Sequence, residues 1–272
     1  LYRLKRIEKV PVTPSIYSVA GTAFHEWTDR FDEAPFFEGR DDWYANRIGE
    51  LIREEEEKSG FPFKEWDNPA RKAGANQAAL DKFRDVVGPD MVGKYIRWRA
   101  DSGWAIADMG PCLKCDGTGR VFGNETGQFE DCELCEGQPG RMAVPGIEVE
   151  VNFTIQGVEN IAKIDRIFEI PETGQLVAID TKTWSKRRVT AQLPTYLVAL
   201  RQAGFNVHAA GYYEARKGAC TALKTYEYWD ENRLAALHVQ AAWMIKEQWF
   251  LPRPSDACGQ CDVRRHCVYR LD

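Results

Sequence analysis

Asp165, Asp180 and Lys182 are the residues of this chain whose types and spacing best suit chemistry on a phosphate. They fall in Ile161–Thr183, IAKIDRIFEIPETGQLVAIDTKT, where two β-branched runs flank Pro171-Glu172-Thr173-Gly174, a composition that favours a turn. If Ile170 and Gln175 close a four-residue loop between antiparallel strands, the register sets Asp165 directly opposite Asp180. Their Cβ atoms would then lie about 4.5–5.5 Å apart on one face. Lys182 shares that face, two residues along. Opposed carboxylates repel, and a divalent cation between them removes the conflict; Mg²⁺ or Mn²⁺ prefers such hard oxygen ligands. The neighbouring ammonium could orient or help deprotonate water, or steady charge on a phosphate. The alternative is an exposed hairpin whose charges face solvent, and a single bulge would spoil the register.

The cysteines carry a second kind of chemistry. Cys112, Cys115, Cys132 and Cys135 form C-x2-C-x16-C-x2-C, a zinc pattern, in a glycine-rich stretch poor in aliphatic residues. Four thiolates close the coordination shell, so this zinc is expected to be structural, and residues 108–142 to fold around it as an inserted module. Cys258, Cys261 and Cys267 follow at C-x2-C-x5-C in the tail, 250–272. Three such thiols suggest a cluster or a metal that needs a fourth ligand, with Cys220 and His266 as candidates within the chain. Cysteines at metal-ligand spacings point to a reducing, intracellular setting.

Several elements must position these groups. Ser18 is the expected N-cap of a helix over VAGTAFHEWTDRF, where Phe24, Trp27 and Phe31 recur at helical spacing beside His25. Taken alone, His25 reads as a hydrogen-bonded histidine rather than a ligand. Residues 40–100 read as mainly helical, with Glu54–Glu57 as a solvated face. KYIRWR near 94–99 reads either as a nucleic-acid contact or as an amphipathic helix with Tyr95 and Trp98 packed inward. GIEVEVNFTIQ alternates Ile147, Val149, Val151 and Phe153 against Glu148, Glu150 and Asn152, predicting a half-buried strand. That acidic pair either extends the metal site or faces solvent. After Lys182, the cluster Lys186, Arg187 and Arg188 lies where phosphates would have to be held. A helix then places Gln192 and Tyr196 one turn apart, with Pro194 tolerable in its first turn. A strand over VHAAGYYEAR and a helix around 230–249 complete an alternating α/β order.

The 272 residues, 44% hydrophobic and 28% charged, suit one large globular domain with an insertion, or two modest ones. No apolar run approaches the ~18 residues of a membrane span, so no membrane partner is expected. The formal net charge of -5 neither supports nor excludes a nucleic-acid partner, since local patches decide that.

In the order His25, Asp165, Asp180-Thr181-Lys182, Gln192 and Tyr196, then the tail cysteines, the chain resembles the RecB-like branch of the PD-(D/E)xK nucleases. It looks closest to the CRISPR-associated and phage exonucleases that carry an iron–sulfur cluster. GTAFHEW, AKIDRIFE, VAIDTKTW, QLPTY and CGQCDVRRHC carry the likeness across nearly all of residues 1–272. The resemblance implies a restriction-endonuclease-like mixed β-sheet flanked by helices, with a helical N-terminal part. It implies a Mg²⁺ or Mn²⁺ site made by His25, Asp165, Asp180 and the Thr181 carbonyl. Lys182 would assist the attacking water, and Gln192 and Tyr196 would orient the DNA end and that lysine. It also implies a [4Fe–4S] cluster on Cys258, Cys261 and Cys267, with a fourth cysteine expected upstream of Leu1 and Cys220 as the weaker substitute. CLKCDGTG and CELCEGQPG resemble DnaJ-type zinc knuckles, as a metal-binding device only. The expected activity is a metal-dependent DNA exonuclease acting at single-stranded or free ends. The alternative is a catalytically silent DNA-binding or assembly module that recruits a protein partner through its zinc segment.

Overall fold

A computed structural model describes residues 8–9, 12–66, 74–110, 120–122, 128–131, 145–183 and 191–249. Three expectations lie outside these residues: the zinc ligands Cys112, Cys115, Cys132 and Cys135, the tail Cys258, Cys261 and Cys267, and the basic cluster Lys186, Arg187 and Arg188. The chain divides into two compact units, one of residues 1–96, 215–217 and 237–272, the other of 97–214 and 218–236.

The first unit is helical. α1 (Ile16–Glu33) starts three residues earlier than Ser18 predicts, because Ser15 is the cap, its Oγ accepting from the Tyr17 amide at 3.3 Å. Ser18 lies inside the helix. Phe24 and Trp27 are fully buried and Phe31 nearly so, as their spacing requires. α2 (Arg40–Ser59) packs beside α1, and Arg47 pairs there with Glu26, Glu50 and Glu54, so part of the acidic run is neutralised. α3 (Ala75–Lys82) passes through a π-helical turn, Phe83–Val87, into α4 (Gly88–Ser102). Gly88 is required at that junction: a Cβ there would fall 1.8 Å from the Tyr44 ring. Tyr95 is buried edge-on against Phe24 and Trp27, which answers the choice at 94–99 in favour of packing.

The second unit holds a mixed sheet of seven strands among the described residues. Its members are β1 (Ala105–Ile106), β4 (Ile147–Ile155), β5 (Val158–Ile170), β6 (Gln175–Lys182), β7 (Val207–Glu214), β8 (Ala219–Cys220) and β9 (Lys224–Thr225), with a separate ribbon of β2 (Arg120–Phe122) and β3 (Phe129–Asp131). β4 buries Val149, Val151 and Phe153 while Glu148 and Asn152 stay exposed, the alternation its sequence predicts. Gln156 and Gly157, both at positive φ, close the two-residue turn into β5. β6 and β7 run parallel, which demands a crossover, and α5 (Gln192–Gln202) provides it. Leu193, Leu197 and Leu200 of α5 join Val149, Val151, Ile164 and Ala178 in one core. Trp98 packs against Phe168, Tyr213 and Trp104 in a second apolar cluster. α6 (Glu231–Lys246) closes the element order. A mixed sheet flanked by helices is the expected architecture. No described helix is long and apolar enough to cross a membrane.

Candidate active site

The β5–β6 hairpin adopts the register read from its loop, from Ile170↔Gln175 to Arg166↔Ile179. There the strands part. β6 continues beside β7, with Asp180↔Tyr212 and Lys182↔Glu214, while β5 continues beside β4, with Val149↔Ile164. Asp165 and Asp180 are the first residues beyond this fork. In place of a further ladder bond, the Thr181 amide donates to Asp165 Oδ2 at 2.7 Å. The backbone of the D-x-K segment thus fixes the other strand's carboxylate.

Asp180 is only 2% exposed, and its two oxygens have different partners. Oδ1 accepts from the Tyr196 hydroxyl at 2.9 Å and from Gln192 Nε2 at 2.6 Å. Gln192 Nε2 also donates to the Tyr196 oxygen at 2.7 Å, so the two α5 residues act as one clamp. Oδ2 forms an ion pair with Lys182 Nζ at 2.6 Å. The Lys182 ammonium also lies 5.6 Å from the Tyr212 ring centroid. Helical spacing brought Gln192 and Tyr196 to one face of α5, and that face meets the carboxylate.

Burial pushes the Asp165 and Asp180 carboxyls above the ordinary aspartate range. The charge of Asp165 pushes Asp180 further up, while Lys182 pulls it down. For Asp165 the opposing influences are the Thr181 amide, then Arg166 and Lys182. Burial, followed by the two aspartates, also pushes the Tyr196 phenol well up, so it stays a donor.

Two neighbours were less legible in the sequence. Glu148 offers a carboxylate oxygen within 4.8 Å of one from Asp165, whose charge in turn acts on Asp180. Glu148 holds φ at 48° inside a strand, a conformation that costs a non-glycine residue about 1–3 kcal/mol. Glu150 instead pairs with Lys163 at 3.1 Å. Arg166, 1% exposed, donates to the Asp165 carbonyl at 2.6 Å. An arginine directly after the aspartate of β5 was the available signal. His25 lies half-buried on α1 in the helical unit. Cys220 lies on β8, where burial pushes its thiol up to about 12.

A buried carboxylate, Asp180, beside a half-buried one, Asp165, is the donor set that hard divalent cations take, so these residues fit Mg²⁺ or Mn²⁺. The chain matches the family model of the PD-(D/E)XK nuclease superfamily over residues 1–268, and it belongs to that superfamily. Nucleases of this kind act on DNA and typically use Mg²⁺ or Mn²⁺, and this chain carries Asp165 followed by a D-x-K triplet, Asp180-Thr181-Lys182. Among curated proteins, the Gene 69 protein of Mycobacterium phage L5 is 28% identical over 286 residues, covering 98% of this chain and 90% of that protein. The Gene 69 protein of Mycobacterium phage D29 is 25% identical over 283 residues, with the same shares covered.

Proposed function

We propose that this chain is a divalent-cation-dependent DNA exonuclease that hydrolyses phosphodiester bonds at single-stranded or free ends. The observation that carries the reading is the fork, which brings two desolvated carboxylates and a lysine together in the superfamily's order. Asp165 and Asp180 would hold the cation, joined by His25 and the Thr181 carbonyl as the resemblance implies. When bound, Mg²⁺ or Mn²⁺ supplies Lewis-acid chemistry, polarising the scissile phosphate and making water more acidic.

The remaining steps belong to the chain. Lys182 places a positive charge where the attacking water and the phosphate meet. Tyr196 and Gln192 hold Asp180 in one orientation, so their contribution reaches the reaction through that carboxylate. Lys186, Arg187 and Arg188 would grip the substrate backbone. Residues 108–142 would fold around one zinc through Cys112, Cys115, Cys132 and Cys135, presenting a surface for a protein partner. Cys258, Cys261 and Cys267 would ligate a [4Fe–4S] cluster, as in the RecB-like phage and CRISPR-associated exonucleases. Metal analysis expecting one zinc and about four irons per chain tests both.

The activity test uses end-labelled linear and circular single strands with Mn²⁺ or Mg²⁺. Linear strands should be shortened from an end, circles spared, and EDTA or Lys182→Ala should stop the reaction. Cleavage that persists in chelator removes the metal-dependent mechanism. A metal-loaded protein that binds DNA and never cuts it would establish the silent module instead.

A further inference from the structure

Asp180 has two oxygens, and they differ: Oδ1 is hydrogen-bonded, whereas the buried Oδ2 accepts no hydrogen bond from the described residues and meets Lys182 only as an ion pair. Oδ1 receives two donors, Tyr196 Oη at 2.9 Å and Gln192 Nε2 at 2.6 Å. Two donors match the two lone pairs of one carboxylate oxygen. Oδ2 is what the carboxylate can offer a cation, and Lys182 Nζ stands 2.6 Å from it. A divalent ion and an ammonium at contact distance on one oxygen repel each other, and the burial of Asp180 limits the screening that water could give. The two claims on Oδ2 therefore oppose each other.

We infer that Lys182 and the divalent cation compete for Oδ2 of Asp180, so that cation binding releases the lysine, and that Gln192 and Tyr196 are positioning residues that enforce the exchange by holding Oδ1. This inference rests on the metal-dependent reading of the same site. The lysine is suited to the movement: its side chain is 23% exposed and carries the charge on a flexible four-carbon stem. The Tyr212 ring, 5.6 Å from Nζ, offers the released ammonium a place that needs no carboxylate. The consequence is an order of events. Lys182 becomes free to meet a phosphate only when the cation that activates that phosphate is in place, and a site without its cation keeps the lysine withdrawn.

The experiment needs no DNA. Full-length, metal-stripped protein is titrated with Mn²⁺ by calorimetry, with Asp180→Asn as the baseline for binding at other places. In parallel, surface amines are acetylated with and without Mn²⁺, and modification at Lys182 is read by mass spectrometry. Competition predicts that Mn²⁺ increases Lys182 acetylation about fivefold or more, and that Lys182→Met binds Mn²⁺ tighter by a comparable factor. It also predicts that Tyr196→Phe, which loosens the hold on Oδ1, binds Mn²⁺ with a smaller rise in acetylation. Wild-type protein that binds Mn²⁺ with Lys182 acetylation unchanged overturns the competition and leaves the metal site standing. Equal Mn²⁺ affinity in Lys182→Met does the same. An undiminished rise in Tyr196→Phe overturns the part given to the clamp. If wild type and Asp180→Asn give the same heats, the metal site itself fails and the competition with it.

Discussion

Asp180 illustrates at the scale of one residue how a site is kept at the expense of the fold. Its carboxyl titrates above the usual range because burial, then the neighbouring Asp165 charge, outweighs the help of Lys182 and Tyr196. A raised folded-state value means that ionisation disfavours the folded chain. The group favours folding below its unfolded value of about 3.9, and that contribution is lost as pH rises through the raised value. Asp180→Asn cannot ionise, and its amide oxygen can still accept from Tyr196. In EDTA the variant should therefore melt at a higher temperature than wild type at pH 8, with the gain shrinking towards pH 4. Cleavage should meanwhile fall by at least about 100-fold, since the proposed cation site loses one of its charges. Thermal unfolding at the two pH values reads the sign. A lower melting temperature for the variant at pH 8 would mean that the Lys182 ion pair contributes more than burial costs.

The elements show which parts of this arrangement a linear sequence can declare. Strand alternation in β4 and the loop closing β5 onto β6 are local, so Val149, Val151 and Phe153, and the pairing Ile170↔Gln175, were legible. The helical spacing of Gln192 and Tyr196 was legible for the same reason. The fork was not, because where β6 leaves β5 depends on β7, an element beyond the crossover. Nor was the choice between Ser15 and Ser18, since both can cap a helix and the upstream chain decides between them. Gly146 is a further case. Its amide donates to the Ala107 carbonyl and its carbonyl accepts from the Ile167 amide, binding three segments within two residues of Asp165. A Cβ there would fall 2.5 Å from the Ile167 carbonyl oxygen, a backbone atom that cannot swing away. Gly146→Ala should cost about 1–3 kcal/mol in denaturant unfolding. It should also lower the cleavage rate at temperatures where the variant is still folded, because β5 must shift. Unchanged stability would show that the 145–147 turn can yield independently of β5.

Across the whole molecule the charge balance poses a problem for a DNA-acting protein: 36 basic against 41 acidic residues leave a net charge of -5. Attraction to a polyanion must then come from a local group of cations, and in the sequence that group is Lys186, Arg187 and Arg188, four to six residues beyond Lys182. The match over residues 1–268 agrees with motifs spread along nearly the whole chain, so these cations lie within a stretch that the superfamily's model covers rather than beside an isolated hairpin. If all three contact phosphates, each releases counterions on binding, and single-strand affinity should fall with salt by a log–log slope of about 0.7 per contact. Replacing the three by alanine should reduce the slope by about 2, so between 50 and 200 mM salt the wild-type affinity should fall roughly 20-fold more than the variant's. The measurement is fluorescence anisotropy on a labelled single strand, in the Asp180→Asn background so that nothing is cut. A slope that does not change would place the phosphate grip elsewhere, and the search would move to the other basic side chains. A reduced slope with sequence-independent weakening is the signature of backbone contacts, as the proposed action on ends rather than on a sequence requires.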